Sequence, residues 1–349
     1  MKCKECMSCF KGWFKDKPEA YVCIGRPEPT LIEDVEAKCF EYGDDWYEGV
    51  HNGIDLRTDD PTRPMFTILV GPPGVGKTTY AKEYSRDDTV ILSSDDIRKE
   101  LFDDEGCQSD NNLVFKTMQD RTLEALNAGK SVIYDATNMT RKSRRSILSL
   151  IPDSVFKCCV ICWAPLDVIF SRDALRERTV GPEVIERMIR RFEAPFYDEG
   201  FDEIVVFMCG VHYNKDQYLT NLMSAMDIPH DNPHHTLSVL EHCKKCGKIL
   251  IGMDVPQVVI NAGYLHDIGK PITKTFHNRK GEPVDIAHYY DHQAVGAWLS
   301  YGLVGHSETL AWLISSHMAP FINQKYYDSL SAQYKYWIDC LHAADKEAH

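Results

Sequence analysis

Two groups of residues have types and spacings that chemistry can use. The first lies in ILVGPPGVGKTTY, where Gly71, Gly74 and Gly76 precede Lys77, Thr78 and Thr79 in the pattern G-x-x-x-x-G-K-[ST]. Glycines at these positions let backbone N–H groups turn toward phosphate oxygens. Lys77 reaches β- and γ-phosphates, Thr78 ligates Mg²⁺, and the helix that follows offers its positive dipole end. The following SSDDIRKEL sets Asp95 at the mouth of a strand, where a carboxylate accepts a proton from an attacking hydroxyl; Arg98 is one turn on, where it can grip a phosphate of the acceptor. The DD pair can also serve as a helix cap, a task that suits Asp96 while Asp95 faces the crevice.

YDATN supplies Asp135, suited to ordering a Mg²⁺-bound water or Lys77, with Thr137 and Asn138 at the strand mouth. Arg172, Arg176 and Arg178 lie in SRDALRERTVGP. The i,i+4 spacing of Arg172 and Arg176 predicts one shared helix face, a lid that closes over a triphosphate and neutralises developing charge. A solvated helix face is the plainer alternative.

The second group is in the last third. His235, the pair His266–Asp267, His292, His317 and Asp345 recur at intervals of 25 to 31 residues, each within a helical apolar pattern. That predicts one group of ligands per helix of a bundle. Imidazole and carboxylate without thiolate suit Mn, Fe, Co, Ni or Zn with open coordination positions. Lys270, one turn beyond the pair in HDIGK, is placed to hold a phosphate. His234 is the poorer ligand candidate beside His235, and His288 is at most an outer partner.

The elements that must position these residues alternate first and then do not. Apolar runs at 66–70, 89–94, 131–137, 156–163 and 203–208 alternate with helical stretches and predict a parallel α/β sheet over 62–215. Beyond about residue 220 the strands stop and an all-α domain is expected over 225–349. A Cys-containing segment, 1–55, stands apart, before RTDDPTRP. Within it Cys3, Cys6, Cys23 and Cys39 form a candidate structural zinc set, with Cys9 as substitute; five unrelated reduced thiols are the other reading. At 349 residues two or three cores are expected.

The 13 cysteines and the lack of an apolar leader point to a reduced, cytoplasmic protein without a membrane segment. A formal charge of −13 argues against broad adhesion to nucleic acid or anionic membrane, although residues 141–191 hold 11 Lys/Arg against 6 Asp/Glu, enough for a local basic groove. Oligomeric state is not legible.

Taken together, GPPGVGKTT, SSDDIR, YDATN and the arginine lid ahead of Pro182 resemble the 5′-hydroxyl polynucleotide kinases of phage and bacterial RNA-repair enzymes, over roughly residues 65–210. The resemblance implies ATP and Mg²⁺ as cofactors. It makes Asp95 the general base, Arg98 the ligand of an acceptor-strand phosphate and Arg176 the leading residue of the lid. Ser93–Ser94 stands where relatives often carry Asn and Arg.

The order H…HD…H…H…D resembles the HD phosphohydrolases over roughly residues 228–349. It implies one metal on His235, His266, Asp267 and Asp345, and a second on His292 and His317 beside Asp267. The pairing of the two implies an RNA end-healing enzyme that acts on nucleic acid ends. It would open a 2′,3′-cyclic phosphate or remove a 2′- or 3′-phosphate, with sealing left to a separate RNA ligase. A small-molecule or nucleoside kinase fused to a nucleotidase, and a nucleotide-sensing P-loop regulator, are the competing readings.

Overall fold

The computed structural model describes residues 9–14, 17–23, 30–32, 63–210, 215–233, 236–303 and 308–348. Three strands, β1 (Cys9–Phe14), β2 (Lys17–Cys23) and β3 (Thr30–Ile32), form an antiparallel sheet in which Cys9 pairs in backbone register with Cys23. Cys3, Cys6 and Cys39, the other expected zinc ligands, lie outside the described residues.

The α/β unit is built on β4 (Met65–Val70), β5 (Thr89–Ser93), β6 (Ser131–Asp135), β7 (Phe156–Trp163) and β8 (Glu203–Met208), all parallel, in the order β5-β6-β4-β7-β8. β4 and β7 are buried almost throughout, as expected of strands covered on both faces. Between the strands run α1 (Lys77–Tyr84), α2 (Ser94–Phe102), α3 (Asn111–Asn127), α4 (Arg141–Leu148), α5 (Leu166–Ala174) and α6 (Pro182–Ile189). The central strand β4 delivers the Gly71–Thr78 loop at its carboxyl end, the edge at which open α/β sheets bind ligands.

Part of the basic excess of residues 141–191 is paired with acids further along the chain. Arg144 makes a fully buried two-pronged pair with Glu199 (2.9 and 2.7 Å), while Arg141 and Arg145 share Asp198.

The helical unit contains α7 (Lys215–Ala225), α8 (Val239–Ile251), α9 (Gln257–Leu265), α10 (Lys270–Thr273), α11 (His292–Leu303), α12 (Glu308–Ser316), α13 (Ala319–Ile322), α14 (Gln324–Ser329) and α15 (Ala332–Glu347). Trp298 and Trp312 are fully buried at its centre. Contrary to the all-α expectation, β9 (Lys274–His277) and β10 (Pro283–Tyr289) form an antiparallel hairpin. Its Asn278–Glu282 turn, with Gly281 at φ 82°, is a local strand signal that the surrounding helical periodicity masks. Residues 189–194, inside the stretch expected for the kinase, belong to this unit: Phe192 meets the Trp298 ring edge-on at 5.4 Å, and Arg190 donates to the Tyr290 carbonyl. Among the described residues, no helix is long and apolar enough to cross a membrane.

Candidate functional site

The glycine loop has a shape that side chains would spoil. Gly71, Gly74 and Gly76 adopt φ of 155°, 78° and 113°, and a Cβ on Gly71 would lie 2.8 Å from the Cys162 carbonyl oxygen. Lys77 donates to the Pro72 carbonyl at 3.0 Å, so its ammonium is turned into the loop. Burial pushes that ammonium below its ordinary value, with Asp135 opposing. Thr78 Oγ1 donates to Asp135 at 2.7 Å, and burial raises the Asp135 carboxyl against the pull of Lys77. A threonine hydroxyl, a carboxylate and a half-buried lysine in a glycine loop at a helix N-terminus fit a Mg²⁺–triphosphate.

At the start of α2, the Asp95 side chain is 52% exposed and accepts from Arg98 at 2.9 Å. The buried Arg98 guanidinium also donates to Asn111 at 3.1 Å and lies 6.0 Å over the Phe115 ring. An open carboxylate with its arginine fixed from behind can receive a proton from a hydroxyl while the cation faces a nearby phosphate.

The other cluster lies inside the helical unit. Asp345 Oδ1 stands 2.8 Å from His242 Nε2 and 3.3 Å from His266 Nε2; Asp267 Oδ2 lies 3.4 Å from His266 and Oδ1 lies 3.3 Å from His292 Nε2. His292 and His317 face each other Nε2 to Nε2 at 3.2 Å. The carbonyls of Gly263, Tyr289 and Ile314 hold Nδ1 of His266, His292 and His317 at 3.0, 2.9 and 2.8 Å. A carbonyl only accepts, so each Nδ1 carries the hydrogen and each Nε2 turns a lone pair inward.

This donor set fits a metal ion on two observations. Burial lowers the His292 ring and pushes His317 down to about 3, which keeps both neutral and sets their lone pairs against each other. Burial also works against a charged His266, yet the neighbouring Asp267 raises that ring well above its ordinary value. A proton is thus drawn to where a cation would serve. Besides a buried Cys243–His266–Asp267 group, whose thiol burial raises above its ordinary value, the ligand atoms form the two imidazole–carboxylate groups His242–His266–Asp345 and Asp267–His292–His317, the atoms of each lying within 4.8 Å of one another.

Two family models match the chain, one described as AAA domain over residues 66–195 and one as HD domain over residues 234–344. The chain joins a P-loop AAA domain to an HD domain. Among solved structures, one titled "Structure of the Pnkp1/Rnl/Hen1 RNA repair complex" is similar at 22% identity, over 39% of this chain and 46% of that one, with TM-score 0.35. "Structure of Pnkp1/Rnl/Hen1 complex" follows at 22% identity, covering 36% and 44%, with TM-score 0.29. A shikimate kinase from Acinetobacter baumannii in complex with shikimate is 20% identical over 48% of this chain and 97% of that one, with TM-score 0.26. The chain spans less than half the length of the two RNA-repair chains. Curated proteins give no match.

Within the HD domain, the imidazole facing Asp345 is that of His242, which the sequence reading did not select; His234 and His235 lie outside the described residues. His242 occupies the inner face of α8, and its signal was a lone His in VLEHCKK on an otherwise apolar face. His288 stacks on Tyr290 and is absent from both ligand groups. Lys270 is 2.6 Å from Asp267.

In the AAA domain two expectations fail. Helix α5 ends at Ala174, so Arg176 shares no helical face with Arg172. Asp173 stops the helix by accepting from the Thr179 hydroxyl and the Val180 and Gly181 amides. Arg172 instead donates to the Val75 and Gly210 carbonyls and braces the phosphate loop, while Arg176, 40% exposed, lies 3.7 Å from Asp173 and Arg178 lies over Gly106. The cap of α2 is Ser93, whose hydroxyl accepts from the Asp95 and Asp96 amides, so neither aspartate serves as cap. Asn138 donates to the Leu69 carbonyl, and the Thr137 carbonyl accepts from Gly71, tying β6 to the loop.

Proposed function

We propose that the chain heals nucleic acid ends. Its AAA domain phosphorylates a 5′-hydroxyl with ATP and Mg²⁺, and its HD domain opens a 2′,3′-cyclic phosphate or removes a 2′- or 3′-phosphate, RNA being the substrate and a separate ligase sealing the ends. The observation that carries this reading is the coexistence of an open Asp95 carboxylate paired with Arg98 in the domain of the glycine loop with a buried His–Asp cluster flanked by Lys270. An ATPase that only senses nucleotide has no use for the first, and a kinase has none for the second.

In the kinase step the acceptor oxygen attacks the γ-phosphorus, its proton passes to the Asp95 carboxylate and ADP leaves. Lys77 stabilises the charge that gathers on the phosphoryl oxygens, and Arg176 closes over it. In the hydrolase, His242, His266, Asp267 and Asp345 would hold one cation, with His292 and His317 flanking Asp267, while Lys270 meets the ester phosphate. A first-row transition metal bound there would supply Lewis acidity.

The test is incubation of the protein with ATP and Mg²⁺ against 5′-hydroxyl RNA and DNA oligonucleotides and free nucleosides, and with Mn²⁺ against 3′-phosphate and 2′,3′-cyclic phosphate ends. Phosphorylation of nucleosides with oligonucleotides untouched would overturn the polynucleotide assignment.

A further inference from the structure

His230 is buried (1% exposed) and belongs to neither ligand group of the HD domain, yet it sits against the one lysine of the site. Its Nδ1 lies 2.9 Å from the Leu237 carbonyl, which fixes the hydrogen there and leaves a lone pair on Nε2. That lone pair meets the Lys270 ammonium at 3.2 Å, and the Asp267 carboxylate meets the same ammonium at 2.6 Å. The Tyr289 ring lies 5.3 Å from the ammonium, and the Tyr289 hydroxyl donates to the His230 carbonyl. The loop carrying His230 is strapped in place: the Ala287 amide donates to the Asp231 carbonyl, and Lys274 pairs with the Asp231 carboxylate at 2.6 Å.

We propose that His230 is a positioning residue of the phosphohydrolase, holding Lys270 so that its remaining N–H is aimed at the substrate phosphate. This rests on the phosphohydrolase reading of the HD domain. An ammonium has three donors in tetrahedral array. Asp267 takes one and His230 a second, so the direction of the third is set by protein groups before substrate arrives. The chemical type of the second acceptor matters. A second carboxylate there would add to the counter-charge that Asp267 already supplies and repel the phosphate dianion, whereas a neutral imidazole orients the ammonium without adding negative charge. The same end could not be reached by packing alone, because a lysine side chain has four rotatable bonds and loses orientation readily when one anchor is removed.

The experiment compares His230→Leu, His230→Asn and His230→Glu in the full-length protein, alone and combined with Lys270→Ala. It reads Mn²⁺ content, inorganic phosphate binding by calorimetry with Mn²⁺ present, and kcat and KM on p-nitrophenyl phosphate and a 3′-phosphorylated RNA oligonucleotide. His230→Leu is expected to weaken phosphate binding and raise KM about ten- to a hundredfold, the worth of one hydrogen bond to a charged group. His230→Asn, which keeps a neutral acceptor, should recover most of the loss, and His230→Glu should not. In the Lys270→Ala background none of the three should change binding further. Equal losses with and without Lys270, loss of Mn²⁺ from every variant, or full phosphate binding by His230→Leu would overturn the proposal. Wild-type protein that binds phosphate in this pattern but hydrolyses neither ester would leave His230 in its role and remove the phosphohydrolase reading instead.

Discussion

Stripping the metal from the HD domain should lower its thermal stability by an amount the geometry allows to be sized. Without a cation, His292 and His317 set two buried Nε2 lone pairs 3.2 Å apart, and His266 Nε2 keeps only long contacts, 3.3 Å to Asp345 and 3.4 Å to Asp267. Each buried polar atom left unsatisfied costs about 1–3 kcal/mol. A ligand held at a hundred times its dissociation constant contributes about 2.7 kcal/mol to the folded state, within the range these groups set. For a unit of this size that translates to a melting shift of roughly 5–10 °C. The assay is scanning calorimetry of the full chain after chelation, then with Mn²⁺, Ni²⁺ or Mg²⁺ added back. Transition ions should restore the shift and Mg²⁺ should not, since the four imidazoles of His242, His266, His292 and His317 suit first-row transition metals and not a hard oxygen-seeking cation. His242→Ala should blunt the recovery. Identical traces with and without chelator, confirmed by elemental analysis to be metal-free and metal-loaded, would refute the reasoning.

Three further outcomes follow from the same geometry. Asp95→Ala should cut phosphoryl transfer by about 10²–10⁴-fold while ATP binding by calorimetry stays near wild type, since the carboxylate serves the acceptor. Lys77→Ala should silence the kinase and spare phosphate release, and Asp267→Ala should do the reverse; one change abolishing both activities in folded protein would count against two separate sites. Glu199→Ala should destabilise the α/β unit by about 3–5 kcal/mol, measured by denaturant unfolding, because it leaves the fully buried Arg144 guanidinium without its counter-charge.

The parts legible in the sequence were those whose chemistry is local. A glycine loop between an apolar run and a helix carries its own context, and all five strands of the sheet fell within two residues of the expected runs because parallel strands covered on both faces read as unbroken apolar segments. What failed depended on partners that residue spacing does not reveal. Arg172 and Arg176 have helical spacing, but Asp173 gathers two backbone amides and a hydroxyl from residues 179–181 and ends the helix between them. Arg141, Arg144 and Arg145 read as free basic charge because Asp198 and Glu199 lie more than fifty residues away. His242 has no spacing signal to separate it from a buried structural histidine, since its partner Asp345 is 103 residues on.

The HD cluster shows why a short motif can fix so much of a site while naming so few of its residues. The two oxygens of Asp267 are divided: Oδ1 turns to His292, and Oδ2 turns to His266 and Lys270. One carboxylate therefore touches both ligand groups and Lys270, so its position must be set from more than one side. Gly269 is part of that setting, since a Cβ there would collide with the main-chain carbonyl of His292 and push α11 away from the turn. The sequence HDIGK thus encodes a ligand pair, the close approach of a second ligand helix and a cation, all within one turn. It does not encode the imidazoles of His230 and His242, which arrive from the loop and helix on the far side. His230 is recognised by the Leu237 carbonyl that orients its ring, and His242 by the Asp345 carboxylate it meets at 2.8 Å.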